Sequence, residues 1–377
     1  MSERAQHAIA ALKGWLLNEA LPLWLDRGFD AATGSFHERL DFDAVAIPGA
    51  PRRLTTQGRQ IFVYALATSR GWIDGRERAV TAWDSMVRRY HRAGDQPGWA
   101  FSIDAAGAVI DSGRDLYATA FCLLAAAWVH RLTGDRQPIA LADETLAHLD
   151  ATMRAAGGGY VDRVPNPPSA LRQNPHMHLF EALLALHEAT GRYDYLDRAT
   201  ELYRHFHAVL FRPESTIVAE YFDVGWQPAD GANAVWEPGH HFEWAWLLSE
   251  YDRLAGTDSS QIGEALMAKA YRCGASSDGV IVDELSGDGT ILKHSHRSWP
   301  LTEAAKANAA RMKGGDRRAD NRLAMAFEGL RARHLDTAVA GLWHDHRGPD
   351  GRNLTDYVPA TTLYHIALSV AVAEDAV

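Results

Sequence analysis

Apolar residues recur along this chain at the spacing of helix faces. Ile9, Leu12, Leu16, Ala20, Leu23 and Trp24 form one stripe, which predicts a first helix from about Glu3 to Phe29. Pro22 falls inside that stretch and predicts a kink or a split there. Further helices are predicted to open near Leu54 and Gly75, Asp115 and Pro138, Pro175 and Tyr193, Pro238 and Ser259, Ser298 and Arg317, and finally near Tyr357. Short alternating segments punctuated by glycine lie between the helix pairs. Gly98–Asp104 with Ala108–Asp111 reads as a hairpin, as does Asp278–Asp283 with Gly287–Leu292. Gly157–Asp162 and Ile217–Phe222 read as strands.

The unit is helix, hairpin, helix, and it recurs about six times with a period of roughly 60 residues. Paired helices on that period close most naturally into a ring inside a ring. The expected fold is therefore all-α: an (α/α)6 barrel of six inner and six outer helices, with short β-hairpins at one end. No linker or low-complexity segment interrupts the pattern, so residues 1–377 are expected to form a single domain.

Composition narrows the function. The net charge is −10 and no basic run is present, so nothing would neutralise a phosphate backbone and no nucleic-acid partner is expected. The longest apolar run, around Ala118 to Val129, is shorter than a bilayer span, and Met1–Ala5 does not open a signal peptide. Neither a membrane partner nor secretion is expected. Two distant cysteines, Cys122 and Cys273, make no disulfide framework and suit the cytoplasm. Both a monomer and a homo-oligomer fit the sequence. The 12 Trp and 18 His are many for 377 residues and call for burial or a site.

In this register every hairpin feeds an even-numbered helix, and those helix openings carry polar residues that packing does not explain. They are Arg59 on the second helix, Asp115 and Tyr117 on the fourth, and Asn174, His178 and Glu181 on the sixth. His240, His241 and Glu243 follow on the eighth, Arg297, Trp299 and Glu303 on the tenth, and Tyr364 and His365 on the twelfth. A closed barrel brings these positions together at one end. His178 and Glu181 are three apart, as are His240 and Glu243, so each pair shares a helix face. Imidazole beside carboxylate is what proton transfer needs. His176 and His178 lie about 200° apart around a helix, so only one can face the site, and His178 shares the Glu181 face.

Plainer readings exist for each residue. Arg59 could be an ion-pair partner of Glu181 or Glu243; Trp244, Trp246 and Trp299 could be core; His294, His296, His344 and His346 could be solvated in hairpins. Convergence at the helix openings favours a site for His178, His240 and His365. A metal could draw on His178, Glu181 and another histidine, but no His-Glu-x-x-His helix is present, so none is expected. Paired carboxylates among Glu181, Glu243 and Glu303 would serve glycoside hydrolysis. Each sits beside a His or Arg, which suits proton shuttling better, although the alternative stays open. No glycine-rich loop marks a nucleotide cofactor.

Five segments carry a family likeness: Thr56-Gln57-Gly58-Arg59, Asn174-Pro175-His176-Met177-His178-Leu179-Phe180-Glu181-Ala182, Pro238-Gly239-His240-His241-Phe242-Glu243-Trp244-Ala245-Trp246, Trp299-Pro300-Leu301-Thr302-Glu303-Ala304 and Tyr364-His365. At these residues the chain resembles the N-acylglucosamine 2-epimerase superfamily of sugar 2-epimerases and aldose–ketose isomerases. The resemblance implies an (α/α)6 barrel, a monosaccharide substrate, and chemistry without metal or other cofactor through an enediol-type intermediate. It implies His365 as the base on the sugar C2 proton, and His240 as the residue that assists ring opening and carries the second proton. Arg59, His178, Glu181 and Glu243 would hold hydroxyls and tune the histidines, with Asp115, Tyr117, Asn174, Trp299 and Glu303 completing the substrate-binding set. The favoured expectation is isomerisation of D-mannose to D-fructose. A 2-epimerase of an N-acyl hexosamine or another sugar is the alternative. Arg172, Arg297 and Lys293 near the mouth leave room for a phosphorylated or sulfonated hexose.

Overall fold

The first apolar stripe forms α1 (Glu3–Trp15), passes through a π turn at Leu16–Ala20 and continues as α2 (Leu21–Asp26). Pro22 sits in the first turn of α2, where a missing N–H costs little, and the π turn ahead of it absorbs the ring's demand on the backbone. The proline thus divides the helix without ending it. The computed structural model describes residues 1–165, 167, 169–276 and 279–377. Asp278, the expected first residue of one hairpin, lies outside these.

The remaining helices are α3 (Leu54–Ser69), α4 (Arg76–Tyr90), α5 (Leu116–Thr133), α6 (Gln137–Thr152), α7 (Gln173–Thr190) and α8 (Tyr193–His205). They continue as α9 (Pro238–Ala255), α10 (Ser260–Lys269), α11 (Trp299–Lys313), α12 (Arg317–His334) and α13 (Thr362–Glu374). Helices α3, α5, α7, α9, α11 and α13 pack each on the next, and α13 returns to α3. Helices α4, α6, α8, α10 and α12 lie outside them, and α1 lies against α12 and α13 to complete the outer layer. This is the expected (α/α)6 barrel.

The two rings differ as their surroundings demand. Every residue from Leu54 to Ala67 of α3 is buried, as suits a helix enclosed on all sides. Outer helix α8 buries only Tyr195, Leu196, Ala199, Leu202 and His205, a single stripe. The Ala118–Val129 run lies within α5, which as a whole, at 18 residues, is long and apolar enough to cross a membrane by length and composition alone. Here that helix is packed between α3 and α7. Gly58 permits the α3–α5 contact, since a Cβ there would come within 2.6 Å of the Phe121 carbonyl oxygen.

The hairpin strands are two or three residues long and form a collar at one end of the barrel. Ser102–Ile103 pairs with Val109–Asp111, and Glu284–Leu285 with Ile291–Lys293, within their own repeats. Other pairs join successive repeats: Arg52–Arg53 with Ser102–Ile103, Arg114–Asp115 with Arg163–Val164, Ala170–Arg172 with Tyr221–Asp223, and His296–Arg297 with His346–Arg347. Val358–Pro359 pairs with Arg39–Leu40 and so closes the collar on its beginning. That pairing holds residues 358–359 extended, which is why α13 opens at Thr362 and not near Tyr357.

Candidate active site

A cavity of about 260 Å³ opens at the collar end. Arg59, Tyr117, Asn174, His178, His240, Glu243, Trp299 and His365 all line it, each from the opening of an inner helix. Gly239 shapes one wall. A Cβ there would lie 2.4 Å from the Trp299 indole, so glycine alone lets that ring lie across the opening of α9. The Trp299 ring then stands 5.0 Å from the His240 ring and 5.7 Å from the His365 ring, centroid to centroid.

The two histidines are held in the same way. His240 Nδ1–H donates to Glu220 Oε1 at 2.8 Å, and His365 Nδ1–H donates to Glu303 Oε1 at 2.7 Å. In each case the carboxylate fixes the ring and leaves Nε2 for chemistry. Their charge surroundings differ. Burial alone would lower the pKa of His240, but the carboxylates of Glu220 and Glu237 outweigh it and raise it to about 10. For His365, burial, Arg59 and Lys306 together push the pKa well below the usual imidazole range. Of these two rings, His240 is therefore favoured as the imidazolium and His365 as the neutral imidazole at neutral pH.

Behind Glu220, Gln173 Nε2 donates to Oε2 at 3.0 Å, and Gln173 in turn accepts from Trp244 Nε1 at 2.7 Å. Behind Glu303 stands Lys306, fully buried, with Nζ 2.6 Å from Glu303 Oε2 and 3.9 Å from Glu243 Oε1. Glu243 has no hydrogen bond to either carboxyl oxygen among the described residues. Burial and the nearby Glu303 raise its pKa to about 8, and it lines the cavity.

A third pair completes the floor. His178 Nδ1–H donates to Glu181 Oε2 at 2.9 Å, and Tyr364 Oη donates to Glu181 Oε1. Burial lowers the His178 pKa to about 4, in spite of Glu181. Arg59 donates to Tyr117 Oη at 2.7 Å and to the Thr361 carbonyl at 3.2 Å, and its guanidinium lies 4.1 Å from the Phe121 ring centre. It pairs with no carboxylate among the described residues, so the ion-pair reading of Arg59 is not supported.

Known proteins share both the sequence and the shape. A profile of the N-acylglucosamine 2-epimerase (GlcNAc 2-epimerase) family matches residues 34–369. The chain belongs to that family. A mannose-6-phosphate isomerase of Rhizobium meliloti is 35% identical, covering 97% of this chain and 96% of that one. A D-mannose isomerase of Thermobifida fusca is 28% identical, covering 89% of each. The cellobiose 2-epimerase of Bacillus thermoamylovorans superposes with a TM-score of 0.88 over 98% of this chain and 99% of that one, at 18% identity. The last likeness speaks to fold alone. The family is one of sugar epimerases and isomerases, so a sugar-processing enzyme is established at that level.

Against this family background four expected contacts move. Asp115 does not line the cavity; its side chain caps α5, accepting from Ala118 N–H at 2.9 Å. Glu181 and Glu303 also stand behind the lining, because their oxygens face His178, Tyr364, His365 and Lys306. The partner of His240 is not Glu243 on its own helix but Glu220, brought in by the pairing of Tyr221–Asp223 with Ala170–Arg172.

Other histidines are structural. His241 Nε2 accepts from Val218 N–H at 3.1 Å and its ring stacks on Trp236. His176 Nδ1–H donates to the Arg172 carbonyl and Nε2 accepts from Tyr160 N–H, both at 2.9 Å. His346 contacts Asp283 at 2.8 Å and is not simply solvated.

Sequence reasoning missed Glu220, Glu237 and Lys306. Lys306 had a visible signal: a lone lysine in the run Ala304-Ala305-Lys306-Ala307, three residues after Glu303. Metal-capable donors do converge, as in Glu243, Glu303 and His365, or Glu220, Glu237 and His240. In the first set, however, the Lys306 ammonium already faces both carboxylates, and in the second the ring faces Glu220 with Nδ1–H.

Proposed function

We propose that this protein is an aldose–ketose isomerase interconverting D-mannose and D-fructose, and that it works without a metal. The observation that carries the reading is the placement of two histidines beside Trp299, each held through Nδ1 by a buried glutamate so that Nε2 is left for proton transfer. The cavity is smaller than those that hold drug-sized ligands, which suits a single sugar ring.

In this reading His240 donates a proton to ring O5 as the C1–O5 bond breaks, and takes the proton that O1 releases. His365 Nε2 then removes the proton from C2. The C2–H electron pair forms the C1=C2 bond, the carbonyl pair moves to O1, and O1 takes a proton from His240. The product is a cis-enediol. O2 then returns a proton to His240 as C2=O forms, and His365 delivers its proton to C1. The ketose is complete and both histidines are restored. A 2-epimerase would instead reprotonate C2 from the opposite face, which falls to His240. The isomerase outcome is favoured by the two relatives named as isomerases that align over most of this chain. Metal-free chemistry is supported by Lys306, which supplies a cation between Glu243 and Glu303.

A second reading, mannose 6-phosphate, rests on Arg297. Its guanidinium lines the cavity mouth and makes no ion pair among the described residues, and the relative at 35% identity carries that substrate in its name. Arg172 and Lys293 are occupied by Asp162 and Glu284. Glu237 and Asp345 also line the cavity and disfavour an anion, so the free sugar leads. The test is chelator-treated protein offered mannose, mannose 6-phosphate and N-acetylglucosamine in deuterated buffer. Fructose with deuterium from solvent supports the first reading. Turnover of the phosphate ester alone moves the assignment to the second. A new aldose without ketose makes the protein an epimerase, and loss of activity to the chelator overturns the metal-free claim.

A further inference from the structure

Lys306 does not reach the cavity, yet it is fully buried in the middle of the barrel. An ammonium buried there is expensive unless it is paired. Its partners are Glu303 at 2.6 Å, Glu243 at 3.9 Å and the face of Trp246, 3.9 Å from Nζ to the ring centre. The other oxygen of Glu303 holds His365. Ammonium, carboxylate and imidazole thus stand in a row.

The site contains its own comparison. Two histidines donate Nδ1–H to buried glutamates at nearly the same distance, 2.8 Å for His240 and 2.7 Å for His365. Behind Glu220 is the neutral amide of Gln173, and behind Glu303 is the ammonium of Lys306. A bare buried carboxylate stabilises an imidazolium; a carboxylate already neutralised by a cation orients the ring without drawing a second proton to it. His240, which also has the Glu237 carboxyl at 3.9 Å, and His365 show those two outcomes. The groups around His365 are Glu303 and Lys306 from α11, Arg59 from α3, His178 and Glu181 from α7, His240 and Glu243 from α9, Tyr364 from its own helix, and Asp345 from the residue ahead of the His346–Arg347 strand. Arg59 acts in the same direction as Lys306, but it touches neither Glu303 nor His365 through a hydrogen bond.

We propose that Lys306 is a positioning residue for His365: it cancels the charge of Glu303, so that His365 is kept as a base while His240 is kept as an acid. The proposal rests on the reading of His365 as the base on C2.

The experiment combines histidine nitrogen NMR with pH–rate profiles on wild type, Lys306→Gln and Lys306→Met, with His365→Gln used to assign the resonance. In wild type at pH 7, His365 is expected to show one bare and one protonated nitrogen. In both Lys306 variants it is expected to show two protonated nitrogens. The acid limb of kcat/KM should rise by about one pH unit or more, with turnover recovering above it. A His365 that stays neutral in folded variants overturns the proposal, as does a loss of turnover at every pH with the limb unmoved. The double variant Glu303→Gln/Lys306→Met removes both buried charges together, so it folds more readily than either single change. It is expected to restore a neutral His365; a doubly protonated ring there also overturns the proposal. If wild type turns over no sugar, the isomerase reading fails while the NMR result still judges Lys306.

Discussion

Glu220 Oε1 accepts the Nδ1–H of His240 at 2.8 Å, although the two residues lie on different segments of the chain. The Glu220 carboxylate is therefore a main support of the His240 charge. Glu220→Gln is expected to move the alkaline limb of activity down by about one pH unit or more, because removing an opposite charge lowers an imidazole pKa. Glu243→Gln should move it much less, since Glu243 makes no hydrogen bond with His240 and comes after Glu220 and Glu237 among the groups that raise it. A pH–rate profile of the two variants separates these roles; equal shifts would count against the assignment.

His365→Ala removes the proposed base. Solvent exchange at C2 should fall by roughly 10²–10⁴-fold, the usual range for losing a general base. His176→Gln should leave exchange near wild type, because both its ring nitrogens are engaged with backbone. Exchange is followed by NMR of recovered sugar, and full exchange in His365→Ala would end the assignment.

Gly239→Ala tests the wall. The added Cβ would meet the Trp299 indole at 2.4 Å, and the ring must move from its place beside His240 and His365. A displacement near 1 Å costs about 10²-fold in rate. We expect kcat/KM to fall on that scale with the melting temperature lowered only modestly. Unchanged kinetics would show that Trp299 does not need its observed place.

Asp115→Ala should behave oppositely. Asp115 caps α5 and does not line the cavity. Its loss is expected to cost about 1 kcal/mol of stability, read by denaturant unfolding, with KM unchanged. A large rise in KM would return Asp115 to the substrate.

Acid should destabilise the fold through its buried histidines. Burial lowers His176 and His178 to about 4, and His241 and His334 to about 3. In the unfolded chain these rings take protons near pH 6.5. The stability they contribute is full above that value and is lost as pH falls from about 6.5 towards 3–4. His240 has the opposite sign: its contribution is full below about 6.5 and is lost as pH rises towards about 10. Thermal melts between pH 7 and 5 should steepen downwards in wild type and flatten in His334→Asn; an unchanged slope would contradict this.

The barrel was legible because its signal is local and repeated. Each inner helix announces itself by an apolar run, and the openings fall at regular intervals. His178 with Glu181 could be placed because three residues along a helix is a fixed geometry. Glu220 could not, because it reaches His240 through strand pairing between repeats, which helical periodicity does not encode. Glu303 and His365 were named, yet their contact depends on α13 lying against α11. Tyr357 misled the start of α13 because strand pairing with Arg39–Leu40 overrides local helix preference.

The pairing of Val358–Pro359 with Arg39–Leu40 also dictates when this site can exist. His365 follows that pairing on the last helix, and it meets Glu303 and Trp299 only once α13 has slotted between α11 and α3. A barrel in which α13 has not docked would therefore hold His240 against Glu220 but leave Glu303 and Trp299 without His365, so the two histidines come together only through closure of the ring.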